Sequence, residues 1–99
     1  MAKGYVIGHL NIHNPEGYQA YAAQVPPTLT PFGGRFIVRG GAVHVFDGEP
    51  LGPRNVVIEF PSVQSAKDWY ASPAYQAIVN GRIQNAKGYL MVVEGFEAA

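Results

Sequence analysis

Ninety-nine residues suffice for one domain built on one core, spanning 1–99. Seven acids balance seven bases and only 14% of residues are charged, so the chain lacks the clustered positive charge that nucleic acid or an anionic membrane needs. The absence of cysteine excludes disulfides, thiolate metal sites and cysteine nucleophiles, and fits a cytoplasmic protein. Met1-Ala2-Lys3-Gly4 leads into an alternating segment rather than an apolar leader, and no apolar run reaches membrane-spanning length.

Residues 4–12 alternate and are rich in β-formers, which predicts a strand with Val6, Leu10 and Ile12 on one face and Tyr5, Ile7, His9 and Asn11 on the other. Asn14-Pro15-Glu16 reads as a helix start, with Asn14 as the cap, proline at the first position and an acid in the first turn. Tyr18, Tyr21, Ala22, Val25 and Leu29 form one helical stripe, interrupted at Pro26-Pro27, so the helix is expected to end near Val25 and a short turn to restart and run to about Pro31.

Gly33-Gly34 and Gly40-Gly41 then bracket the strand Arg35-Phe36-Ile37-Val38-Arg39. Period two puts Arg35, Ile37 and Arg39 on one face and Phe36 and Val38 on the other. Gly40-Gly41 has the form of a two-residue hairpin, with 42–46 as its return strand, followed by a turn-rich loop to Pro53. Residues 54–60 form the next strand, stopped by Pro61; Ser62 caps a helix that contains Ala66, Trp69 and Tyr70, and Ser72-Pro73 breaks and restarts it. Tyr75, Ile78, Val79, Arg82, Ile83 and Ala86 continue a helical stripe, with a distortion expected at Asn80-Gly81, and residues 88–96 make the last strand.

This order, β-α-β-(β)-β-α-β, predicts an α+β sandwich of the ferredoxin-like split βαβ type: an antiparallel sheet with both helices on one face and the 54–60 strand between the first strand and the arginine strand. The uncovered face then collects Tyr5, Ile7, His9, Arg35, Ile37, Arg39, Val57 and Glu59, too apolar for water yet charged, which suits a homodimer whose sheets face each other. Whether Glu94 joins that face depends on the register of the last strand, which the sequence leaves open.

His9 and Glu59 are candidate catalytic residues, since a carboxylate orienting an imidazole is the minimal proton-moving pair; the alternative is a structural contact in a dimer interface. Arg39 and Arg35 are candidate ligands for a carboxylate or similar anion, or else partners for Glu59 and Glu94. Arg82 is a cation on an apolar stripe beside Tyr75. No metal site is expected: His9 and His13 on one strand are about 13 Å apart, and no acids gather at His44. The chain carries no phosphate loop, dinucleotide fingerprint or nucleophile elbow, and no cofactor is expected.

Gly33-Gly34-Arg35-Phe36-Ile37-Val38-Arg39-Gly40-Gly41, Val57-Ile58-Glu59-Phe60-Pro61-Ser62, Trp69 to Gln76 and Val93-Glu94-Gly95 resemble, in order and spacing, the family called domain of unknown function 1330. The resemblance implies a ferredoxin-like domain of the dimeric α/β-barrel superfamily, a homodimer, and recurrent polar positions at Arg35, Arg39, Glu59, Ser72, Tyr75, Arg82 and Glu94. A threonine-aspartate pair common in the family is replaced here by His13-Asn14, of which Asn14 still caps. The family implies no activity. A small anionic organic molecule bound or converted on the open sheet face is the functional expectation, with Arg39, Arg35, Tyr75, Arg82 and Glu94 as its contacts; a non-catalytic dimeric module is the alternative.

Overall fold

The structure, a computed structural model, describes residues 2–97. Strand β1 (Gly4–Ile12) leads to helix α1 (Pro15–Gln24), whose first turn is capped by Asn14: its Oδ1 accepts from the Gly17 amide at 3.3 Å. The double proline ends α1 but starts a one-turn helix, α2 (Pro26–Leu29), which tightens into a 3-10 turn over Thr30–Phe32. Gly33 stops that turn at φ 72°, a left-handed conformation that glycine alone adopts without steric cost. Strands β2 (Arg35–Arg39) and β3 (Arg54–Phe60) follow, then helix α3 (Val63–Ala71), the short helices α4 (Pro73–Gln76) and α5 (Asn80–Ile83), and strand β4 (Ala86–Glu94). Ser62 Oγ caps α3 by accepting from Ser65 N at 3.0 Å, and Ser72 Oγ caps α4 by accepting from Tyr75 N at 3.3 Å.

The four strands form one antiparallel sheet in the order β2-β3-β1-β4. Residues directly opposite in such a ladder share a face. Val6, Leu10, Val56, Ile58 and Phe60 are buried beneath the helices with Trp69, Tyr75, Tyr18, Tyr21 and Leu29. The molecule is only 17 Å thin along its shortest axis, which allows one layer of helices on one layer of sheet and leaves the second sheet face bare. Ile37, Met91, Val93 and Tyr89 on that face are 42–46% exposed.

Three sequence expectations change. Residues 42–46 are not a strand; the Gly40 amide bonds to Asn55 O at 3.1 Å, so β3 itself is the hairpin partner of β2, and Gly41 to Leu51 run out of the sheet as an exposed arm. The stripe from Tyr75 to Ala86 is not one helix but α4, a turn and α5, with Ala86 already in β4, so the last strand spans 86–94 rather than 88–96. Finally, β2 carries a bulge: Phe36 lies opposite Ile58, Val38 opposite Val57 and Arg39 opposite Val56. The extra residue advances the parity by one position. Val38 therefore faces outward, 40% exposed, and Arg39 moves to the helix side.

Candidate functional site

The bulge joins Arg39 to a set of polar groups inside the α/β layer. On the core parity of β3, next to Val56, stands Arg54, opposite Leu10 of β1. Arg39 Nη2 donates to Ala22 O of α1 at 3.0 Å while its guanidinium lies 4.4 Å from the centre of the Phe36 ring. The Arg54 guanidinium sits 5.3 Å from the Tyr18 ring centre, and its buried Nε has no hydrogen-bond partner among the described residues. From the other side, α5 brings Arg82, which is 8% exposed, and its Nε donates to the Tyr75 hydroxyl at 3.3 Å. Tyr75 and Tyr21 share a hydroxyl–hydroxyl hydrogen bond of 2.7 Å.

These groups enclose a crevice between α1 and the sheet with a cavity of about 20 Å³, lined also by Trp69, Val56 and Leu10. That is room for one or two water-sized atoms. Arg82 and Trp69 form its floor, while the exposed Arg39 and half-buried Arg54 mark its mouth. Three guanidinium groups thus converge where the described lining residues include no carboxylate. Guanidinium groups withdrawn from water require a counter-charge or hydrogen-bond acceptors.

The electrostatics suit an anion. Burial pushes the Tyr21 phenol far above its ordinary value, with Tyr75 adding to the effect. Burial also raises Tyr18, against the opposing pull of Arg54. Both stay neutral donors at physiological pH. Burial works against the charge on Arg82, yet the Tyr75 hydroxyl and the neighbouring tyrosines outweigh it and hold the pKa above the ordinary arginine value. The site therefore offers fixed positive charge and phenol hydroxyls, an arrangement able to hold a carboxylate or to stabilise an enolate-like oxyanion. It holds no imidazole or carboxylate among its described lining residues to act as a general base at neutral pH.

The other sequence candidates lie elsewhere. His9 and Glu59 share the bare face but are not a pair: Glu59 lies opposite Tyr5 and His9 opposite Asn55, four residues or roughly 13 Å along the strands. His9 Nε2 instead accepts from the Gly52 amide at 3.3 Å, and its ring stacks on Tyr89 at 5.7 Å. Glu59 is gripped by Arg35, with Nη2 at 2.9 Å and Nε at 3.0 Å from Oε1, and also receives Lys3 Nζ at 3.5 Å and the Tyr5 hydroxyl at 3.3 Å. The Arg35 hydrogen bond, chiefly, holds its carboxyl below the ordinary range. Arg35 is thus engaged with Glu59 on the bare face, away from the crevice. Glu94 lies opposite Gly4, in phase with Val92 and Val6, so it points to the helix side at the exposed end of β4 and not to the bare face.

Of the expected ligand contacts, Arg39 and Arg82 line the crevice, while Tyr75 lies buried behind it, hydrogen-bonded to Arg82 and Tyr21. Arg54, Tyr18 and Tyr21 join them without having been singled out. Arg54 had a readable signal: a cation two residues before Val56 falls in phase with Val56, Ile58 and Phe60 on the buried face. Among the described residues no group of three or more histidines and acids is placed to hold a metal ion, and no helix is long and apolar enough to cross a membrane.

A family model described as Domain of unknown function (DUF1330) matches residues 3–96. No curated protein matches the chain in sequence. Among solved structures, the RPA0582 protein of unknown function from Rhodopseudomonas palustris aligns with a TM-score of 0.76 at 19% identity, covering 98% of this chain and 85% of that one. The methylated form of RPA0582 gives 0.73 at 20% identity over 97% and 82%. SnoaB, a cofactor-independent oxygenase from Streptomyces nogalater, gives 0.67 at 10% identity over 99% and 97%. At these identities the likeness is one of fold.

Proposed function

The chain belongs to that family, DUF1330, and on this premise we propose that it is a homodimeric protein of the ferredoxin-like, dimeric α/β-barrel type that binds a small organic anion. The anion's acidic group enters the crevice between α1 and the sheet, and its apolar body lies toward the mouth at Arg39 and Phe36. One observation carries the reading: three arginines converge on a cavity whose described lining offers no carboxylate to neutralise them. The similarity in fold to SnoaB agrees with a small-molecule role. On this reading Arg54 and Arg82 hold the anion, Arg39 guards the mouth, Tyr21 and Tyr18 supply neutral hydroxyls, and Tyr75 positions Arg82. His9 and Glu59 have no direct part in it.

Trp69, the single tryptophan of the chain, lines the crevice and reports on its contents. Titration with acetate, benzoate and inorganic phosphate is expected to change its fluorescence saturably with at least one carboxylate. Arg54→Gln is expected to weaken that binding about tenfold or more, as loss of a charge-assisted contact does. A flat response to all three anions, or equal affinity in Arg54→Gln, sinks the reading.

A second reading applies to the bare face alone. Glu59 is fully satisfied there within one chain by Arg35, Lys3 and Tyr5, which favours a structural role for these groups beneath a dimer partner, independent of any ligand.

A further inference from the structure

Among the described residues the arm between β2 and β3 has no partner that explains its sequence. Ala42-Val43-His44-Val45-Phe46 alternates like a strand, yet all five residues are exposed, with Val43 at 43%, Val45 at 50% and Phe46 at 97%. A strand needs a neighbouring ladder of N–H and C=O groups, and a sheet offers that only at its edges. One edge is β2, from which the arm departs. The other is β4, which among the described residues pairs with β1 alone. Beside β4, under α3, lies a groove of about 260 Å³ lined by Val6, Ala66, Trp69, Leu90 and Val92, with Lys67 on its rim.

Resting on the homodimer reading above, we propose that residues 42–46 become a β-strand only in the dimer: they add to the β4 edge of the second copy and seat Phe46 in that copy's α3–β4 groove. Geometry, parity, area and charge all agree with this occupant. When two sheets pack face to face about a two-fold axis along their strands, the β2 edge of each copy meets the β4 edge of the other. The sheets then stand about 10 Å apart, which about three extended residues cross. In an added strand, Val43 and Val45 share a face and continue the apolar row of Tyr89, Met91 and Val93, while Phe46 projects to the opposite side, where the groove lies.

The arm enlarges the apolar area that a partner can cover. Strands of 9, 5, 7 and 9 residues give the bare face a flat footprint of roughly 500 Å² per copy. A buried phenylalanine adds roughly 150–250 Å² by itself, and Val43, Val45 and Leu51 supply more. The charges match as well: Asp47 and Glu49 follow Phe46, and Lys67 rims the groove, where the adjacent Asp68 already accepts from Gln64 at 2.9 Å.

The cysteine-free chain allows a direct test. The double variant Phe46→Cys/Lys67→Cys is expected to form a covalent dimer under mild oxidation, while neither single variant does. Phe46→Asp, a change at a side chain outside the core, is expected to leave the circular dichroism unchanged and raise the dimer dissociation constant at least tenfold in sedimentation equilibrium. A dimeric wild type whose Phe46→Asp variant dimerises equally well, with no interchain disulfide, overturns the arm proposal and leaves the homodimer standing. A monomer-sized disulfide product shows the arm folding onto its own groove, which also overturns it. A monomeric wild type overturns the homodimer reading and this proposal together.

Discussion

Tyr21 of α1 and Tyr75 of α4 meet at 2.7 Å through their hydroxyls, and Arg82 closes the chain from α5 at 3.3 Å. This contact ties the first helical segment to the second across the top of the sheet. Two of its members, Tyr21 and Arg82, also line the crevice. Because Tyr75 accepts from Arg82, its own hydrogen is available to Tyr21, so the three groups act as one network.

Tyr75→Phe removes the centre of that network and leaves Arg82 Nε buried without its acceptor. The expected cost is about 1–3 kcal/mol, read as a lowered urea midpoint at unchanged slope. Tyr21→Phe should cost less, and the double variant should fall short of the sum, because both single changes remove the same hydrogen bond. Additive costs would show that the hydroxyls do not interact in solution.

Glu59 makes stability depend on acid. Its folded-state pKa is lowered from the ordinary 4.5, chiefly by the hydrogen bond from Arg35. The unfolded chain therefore takes up a proton before the folded one does, so the contribution is present above about pH 4.5 and is lost as pH falls through the lower, folded value. Urea midpoints measured from pH 6 down to pH 3 should fall less steeply in Glu59→Gln than in the wild type. Parallel curves would remove Glu59 from the account.

Gly40 adopts φ 69°, and a Cβ there would lie 2.8 Å from Arg54 Nη1. Gly40→Ala is therefore expected to cost about 1–2 kcal/mol in backbone strain. It should also displace the guanidinium, weakening the carboxylate response of Trp69 together with stability. A destabilised variant with unaltered carboxylate affinity would place Arg54 outside the anion site.

Much of the architecture was legible because it is written in local chemistry. Asn14, Ser62 and Ser72 cap helices through their own side-chain oxygens within three residues, and the paired prolines end α1 by lacking amide hydrogens. On β1 and β3 the residues Val6, Leu10, Val56, Ile58 and Phe60 share one parity, so period two assigned the core faces correctly. The site was less legible. Arg82 and Tyr75 were visible as residues on an apolar stripe, but their meeting with Arg54, Arg39 and Tyr21 joins segments far apart in the chain.

Local sequence decided the caps at Asn14, Ser62 and Ser72, the breaks at proline, and which side of β1 and β3 is buried, because each depends on neighbours a few residues away. Tertiary structure decided which way Arg39 points. Ile37 and Val38 are both apolar, so nothing local marks the extra residue between Phe36 and Arg39; only pairing with Val57 and Val56 of β3 sets it. The same pairing logic turned Glu94 to the helix side and left 42–46 outside the chain's own sheet. Register is a property of two strands together, and the placement of this protein's arginines follows from it.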